Sequence, residues 1–221
     1  GLNQDSYGTP AGDSRSLGIH ESQSRFWETR IGQSRPFWRF FFPKLQTLFS
    51  KQLGQVTLSD FYQALHRVSP SFIRVEADEL TYPMHVILRF EQEKQLIEGS
   101  ISPKEIPELW ANGMQKHLRV TPPNDQQGCL QDIHWSMGAF GYFPSYTLGN
   151  LYAAHLFEQF AASHPEWEER VAQGKLLFIK DWLHERIYRH GKTLPSLQLL
   201  KIEALSAKPY LSYLESKYTC L

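Results

Sequence analysis

"SLGIHESQSRFWETRIGQSRPFWRFFF", residues 16–42, is the stretch that decides the fold class. Its apolar positions Leu17, Ile19, Phe26, Trp27, Ile31, Phe37, Trp38 and Phe41 recur at helical rather than alternating spacing, which predicts long amphipathic helix. Pro36 either opens a second helix or kinks the first, because proline has no N–H to give inside a helix. The helical pattern continues from Pro43 to Leu53 and meets a natural stop at Gly54.

Most of the remaining chain reads the same way. Ser59 and Asp60 are placed to cap a short helix, "FYQALHRV". Residues 78–99 form a helix with Pro83 near its first turn and Gly99 closing it. Ser102 and Pro103 open another that runs to Leu118. Four more are predicted at 146–163, 165–174, 176–190 and 196–205. "SFIRVEA", residues 71–77, alternates and carries β-branched residues, so it predicts a short strand. Residues 1–16, rich in Gly, Ser, Asp and Pro, read as an exposed loop, as do residues 119–129. The expectation is a mostly α, multi-helix domain with one or two short β-strands, residues 1–221 forming a single helical domain.

Bulk properties narrow the function classes. At 221 residues with 41% hydrophobic and 14% aromatic residues, the chain can bury a real core and is not a disordered composition. Lys plus Arg and Asp plus Glu are balanced at 23 each, which argues against a nucleic-acid partner. No apolar run approaches the roughly 18 residues of a membrane span, so no membrane association is expected. The N-terminal residues do not resemble a signal peptide. Two cysteines, Cys129 and Cys220, with no Cys-x-x-Cys, exclude a thiolate zinc site and suit a reducing, cytoplasmic setting.

Three segments carry candidate chemistry. "HES" at 20–22 sets Glu21 beside His20 near a helix start, where a Glu is ordinarily a favourable first-turn charge. No two histidines stand four apart, so the chain holds no His-Glu-x-x-His pair. "GCLQDIHWSMGAFGYFPSYTLGN", residues 128–150, packs Gln131, Asp132, His134, Tyr142 and Tyr146 among four glycines. An Asp two residues before a His can fix its tautomer, and a tyrosine can stabilise an oxyanion. The plainer reading of that segment is a turn-rich aromatic core piece. Arg74, in "IRVEADE", needs a partner if it points inward: Glu76, Asp78 or a substrate carboxylate.

These three segments, in this order, resemble the carboxypeptidase Taq family of zinc metallocarboxypeptidases, with "YGTPAG" before the first and "LYAAHLF" after the last matching in style. Ser145 stands where the family more often has Thr. The resemblance implies a zincin-like, mostly helical metallopeptidase that clips single residues from peptide C-termini, cytoplasmic and a homodimer when whole. It implies Glu21 as a zinc ligand and His20 beside the metal. It makes Arg74 the reader of the substrate's free carboxylate, with Gln131 and Asp132 on the substrate-binding side, Asp132 orienting His134. His134, Tyr142 and Tyr146 become the candidates for positioning the peptide or stabilising the oxyanion.

The same resemblance places the family's His-Glu-x-x-His helix upstream of Gly1. This chain is therefore expected to be the C-terminal portion of such an enzyme, without two His ligands and the general-base Glu, and inactive alone. The alternative is a non-catalytic helical module that binds peptides or plays a structural part.

Overall fold

The computed structural model describes residues 2–219; Cys220 lies outside them. No strand occurs among the described residues, and eleven α-helices carry the architecture. In chain order they are α1 (Leu17–Arg25), α2 (Arg35–Leu48), α3 (Ser50–Leu53), α4 (Leu58–Leu65), α5 (Tyr82–Ile97) and α6 (Ile106–Leu118). Then come α7 (Pro144–Ser163), α8 (Trp167–Ala172), α9 (Leu177–Arg186), α10 (Ser196–Leu200) and α11 (Lys208–Thr219). The mostly α expectation holds.

The chain divides into two compact units, one of residues 1–65 with 148–221 and one of residues 66–147. The first is built around α7, whose Ala153, Leu156 and Phe160 are fully buried. Phe26, Ile31, Ile179, Leu183, Leu199 and Leu200 complete that core. Phe160 is its aromatic centre, edge-on to Phe26 at 5.7 Å and to Trp182 at 5.4 Å between ring centroids. The second unit pairs α5 with α6 around Leu88, Ile106, Trp110, Met114 and Leu118. These helices approach so closely that a Cβ on Gly113 would lie 2.2 Å from Leu88 Cδ1.

Several helix boundaries depart from the sequence pattern for identifiable reasons. The predicted helix at 16–42 is three pieces: α1, a π-helical turn at Phe26–Gly32, and α2. Ser34 caps α2 and Pro36 stands in its first turn, so Pro36 opens a second helix rather than kinking the first. The cap of α4 is Thr57, not Ser59: Thr57 Oγ1 accepts from the Asp60 N–H at 3.1 Å and donates to the Asp60 carboxylate at 2.6 Å. Residues 78–81 form a turn held by Asp78, which accepts from the N–H groups of Leu80 and Thr81 before α5 begins. Residues 1–16, read as loop, contain 3₁₀ turns at Gln4–Ser6 and Pro10–Gly12. The helix predicted at 196–205 ends at Leu200, where Lys201 turns left-handed with φ of 50°. Helix α11 has no counterpart among the predicted elements; Ser206 Oγ accepts from the Lys208 N–H and Pro209 comes next in its first turn.

The predicted strand at 71–77 is corrected. Ile73 is extended, but Arg74–Glu76 closes into a 3₁₀ turn. A strand needs a ladder, and here one side chain replaces it. Gln131 Oε1 accepts from the Arg74 N–H at 2.8 Å, while its Nε2 donates to the Phe72 carbonyl at 2.9 Å.

Truncating Phe160 to Ala should cost about 3–5 kcal/mol, the range for a large core aromatic. Urea unfolding of Phe160→Ala beside the parent checks this; a loss under about 1 kcal/mol would contradict a close-packed centre at that ring.

Candidate functional site

The second unit gathers most of the singled-out side chains around one largely buried carboxylate. Asp132 accepts from Arg74 Nη2 at 2.7 Å and Nε at 3.1 Å, and from Arg89 Nε at 2.6 Å. Both arginines are buried, Arg89 completely. Arg74 also donates through Nη1 to Tyr82 Oη at 2.9 Å, and its guanidinium lies 4.7 Å from the Tyr146 ring centroid. Arg89 donates through Nη1 to the His85 carbonyl and lies 4.5 Å from the Trp110 ring centroid. The partner of Arg74 is thus Asp132, not Glu76, which is exposed, or Asp78, which is engaged in capping.

The electrostatics derive from that geometry. Burial alone would raise the Asp132 pKa, but the Arg74 hydrogen bond and the charges of both arginines outweigh it and hold the carboxyl below its ordinary value. Burial drags Arg89 down to about 10 despite Asp132, which still leaves it charged at neutral pH. Burial would lower Arg74 too, yet its bond to Asp132 keeps it above the ordinary value. Two guanidinium groups thus share the one carboxylate of Asp132 in a buried cluster. His85 sits beside it, fully buried and with neither ring nitrogen hydrogen-bonded among the described residues. Burial, then the charges of Arg89 and Arg74, push His85 down to about 4.

His134 lies on the other side of the carboxylate. Its Nε2 is 2.9 Å from Tyr146 Oη, and its ring packs on Phe143 at 4.3 Å and Tyr142 at 5.3 Å. Its Nδ1 is 3.9 Å from Asp132, so the carboxylate reaches it as a charge rather than as a hydrogen-bond acceptor. Burial lowers the His134 pKa more than Asp132 raises it, so the ring is neutral at neutral pH. Gln131 is committed to backbone, bridging Arg74 and Phe72 to the carbonyls of Gln127 and Gly128.

The sequence reading missed Tyr82, His85, Arg89 and Glu93. Glu93, buried, holds the 135–141 loop at both ends: Oε2 accepts from Trp135 Nε1 at 2.8 Å and Oε1 accepts from the Gly141 N–H. A signal was present. These four residues, with Gln92, recur at three- and four-residue spacing along α5, a polar stripe on the face where a core helix ordinarily carries aliphatic residues.

Glu21 and His20 belong to the first unit, on α1. A Cβ on Gly149 of α7 would stand 2.6 Å from Glu21 Cβ, so glycine there lets the two helices meet at Glu21. Arg25 Nε fastens the next turn by donating to buried Asn150 Oδ1 at 2.6 Å. Glu21 is partly exposed and accepts from Ser24 Oγ at 3.3 Å; His20 is exposed.

A sequence profile of the carboxypeptidase Taq (M32) metallopeptidases matches residues 1–218. The chain belongs to this family. Among its relatives in the M32 family is the thermostable carboxypeptidase 1 of Thermus thermophilus, 47% identical over 224 residues that take in 100% of this chain and 44% of that protein. Carboxypeptidase 1 of Bacillus subtilis is 43% identical over 97% of this chain and 43% of its own length. The crystal structure of the M32 carboxypeptidase from Deinococcus radiodurans R1 superposes with a TM-score of 0.94 at 39% identity, over 98% of this chain and 44% of that one. The chain thus spans under half the length of the M32 relatives it matches. M32 membership implies a metal. A catalytic zinc takes three protein ligands. No three His, Cys, Asp or Glu side chains converge on a metal position among the described residues, and Glu21 offers one carboxylate, so these residues do not by themselves hold it.

Replacing Asp132 with Asn should destabilise the protein by about 3–5 kcal/mol, because two buried guanidinium groups lose their counter-charge. The Asp132 contribution is complete above pH 3.8 and disappears as the pH falls through its lower folded value. His85 sets a second window. It stays neutral in the fold while the unfolded chain protonates below pH 6.5, so stability should fall by about 3 kcal/mol as pH drops from 6.5 to about 4. Denaturant unfolding across that range should show the slope in the parent and a flatter profile in His85→Leu; equal slopes would exclude His85 as its source.

Proposed function

We propose that the whole protein is a zinc-dependent carboxypeptidase that hydrolyses single residues from peptide C-termini, and that this chain contributes part of its site. The observation that carries this reading is the Asp132-bridged pair of buried arginines. Of the five N–H groups of Arg74, Asp132 and Tyr82 engage three, which leaves one on each terminal nitrogen. Two remaining donors on one guanidinium suit a free carboxylate, the group an exopeptidase must read. Asp132 and Arg89 position Arg74 for this.

With the proton of the neutral His134 ring on Nε2, the imidazole donates to Tyr146 Oη, which leaves the tyrosine O–H as the donor of the pair. Tyr146 Oη, held at His134 Nε2, is a donor for an oxygen that gains charge during acyl transfer, and a preorganised donor of this kind is worth about 10²–10³ in kcat. Tyr142, packed against His134, orients the peptide. Gln131 acts by fixing the Arg74 backbone. We assign Glu21 as one zinc ligand, with His20 next to the metal; a zinc completed by further ligands would supply Lewis acidity toward the scissile carbonyl and the attacking water. The chain alone, with a single ligand, does not turn over peptides. The substrate is a peptide with a free C-terminus, acted on in the cytoplasm by a homodimer.

The test is hydrolysis by the full-length enzyme of a blocked dipeptide and of the same peptide with its C-terminus amidated. The parent should prefer the free acid by at least about 10²-fold in kcat/KM, and Arg74→Lys should erase most of that preference while circular dichroism stays unchanged. Tyr146→Phe should lower kcat by about 10²-fold with KM little moved. Equal rates on acid and amide in the parent would refute the reading.

A further inference from the structure

One face of α5 reaches His134 from both sides. Arg89 and Glu93 stand four residues apart on that helix, so their side chains leave it on the same side in consecutive turns. Arg89 binds Asp132, two residues before His134. Glu93 binds Trp135, the residue after His134, and also the N–H of Gly141, the residue before Tyr142. One buried carboxylate thus ties down both ends of the 135–141 loop, with His134 and Tyr142 flanking it.

The loop depends on that carboxylate. Gly138 and Gly141 are left-handed, with φ of 72° and 79°, and a loop built on such glycines loses much freedom when it orders. Met137 and Phe140 are exposed. Trp135 meets Trp110 and Phe143 edge-on, at 6.2 and 6.0 Å between ring centroids, and with Phe140 it borders a cavity of about 300 Å³. The Gly138 N–H bonds the Trp135 carbonyl and the Ala139 N–H bonds the His134 carbonyl, which shapes the loop without attaching it to α5.

His134 depends on the loop in turn. Its Nδ1 makes no hydrogen bond among the described residues, and its Nε2 is 2.9 Å from Tyr146 Oη. The direction of the ring is therefore set by the backbone on each side of it and by its contacts with Phe143 and Tyr142. A misplacement of about 1 Å in a reacting arrangement costs about 10²-fold in rate, so the anchor of that backbone matters to the chemistry.

We propose that Glu93 is a positioning residue for peptide hydrolysis: by holding Trp135 and Gly141 with its two carboxylate oxygens, it aims His134 at Tyr146 and keeps Tyr142 beside them. This role rests on the proposed donation from Tyr146 Oη to the reacting peptide oxygen. Arg74 is held by Asp132 and Tyr82 instead, so recognition of the free carboxylate does not pass through Glu93.

The experiment measures kcat and KM of the full-length enzyme on a blocked dipeptide for Glu93→Gln, Tyr146→Phe and the double variant. Glutamine keeps one acceptor oxygen and sets an NH₂ group against the second N–H, so one of the two bonds is lost. Glu93→Gln should lower kcat at least about tenfold, move KM less than about threefold and keep the preference for free acid over amide. In the Tyr146→Phe background the same change should lower kcat less than about twofold, because the donor it positions is gone. Trp135→Phe removes a single N–H and keeps an aromatic ring; it should lower kcat with the same dependence on Tyr146, and it carries the test if Glu93→Gln does not fold. A merely structural Glu93 would lower kcat equally with and without the Tyr146 hydroxyl. That additive result, or a kcat within about twofold of the parent in both Glu93→Gln and Trp135→Phe, would overturn the proposal while Tyr146→Phe alone still shows its loss. Should Tyr146→Phe alone keep the parent kcat, the donor role of Tyr146 is refuted first, and the role of Glu93 with it.

Discussion

Asp132 between Arg74 and Arg89 is the constraint on which the second unit depends. Desolvating three charges is expensive, and it is tolerated only because the hydrogen bonds are short and the rest of each guanidinium lies on aromatic faces or carbonyls. The triad joins three pieces of chain far apart in sequence: the turn at 74–76, helix α5, and the loop after Gln131. Neither loop has a ladder of its own to fix it. Gln131 beside the triad and Glu93 one turn beyond Arg89 finish the work, the first gripping the 72–74 backbone and the second the 135–141 loop. The polar stripe of α5 therefore replaces what a hydrophobic face would supply, and gains directional specificity that apolar contacts lack.

In the first unit the corresponding constraint is steric. Glu21 meets α7 at Gly149, where a methyl group has no room, and Arg25 bonds Asn150 one residue on. Past Arg25 the chain widens into a π-helical turn, shown by the Gln33 N–H reaching back to the Glu28 carbonyl at 2.9 Å. The extra residue per turn rotates the chain beyond it. It sends Phe26 and Ile31 into the core and Arg30 onto Tyr213, an arrangement that a continuous α-helix would not deliver to all three.

Much of this was legible from spacing alone. The helical class, Pro36 as a helix start, Gly99 as a stop and Ser102 as a cap all derive from local chemistry that the tertiary structure leaves intact. The failures lie where a side chain took over a backbone role. "SFIRVEA" has a strand's composition, but Gln131, some 57 residues away, occupies the hydrogen bonds a neighbouring strand would have used. The segments of the site could be named from motif resemblance, yet Arg89 could not, because an Arg on a helix is read as solvent-facing until its neighbours at three and four residues prove polar as well.

Zero net charge also misleads when it is read as an absence of field. The first unit holds sixteen Lys and Arg against thirteen Asp and Glu; the second holds seven against ten. The more acidic unit nevertheless buries two of its four arginines on one aspartate. The more basic unit concentrates four of its cations on one cavity. Attraction falls off within about 8–10 Å in salt, so an anion responds to such local groupings rather than to the sum over the chain. A balanced composition argues against binding a long polyanion such as nucleic acid. It carries no argument against small anions.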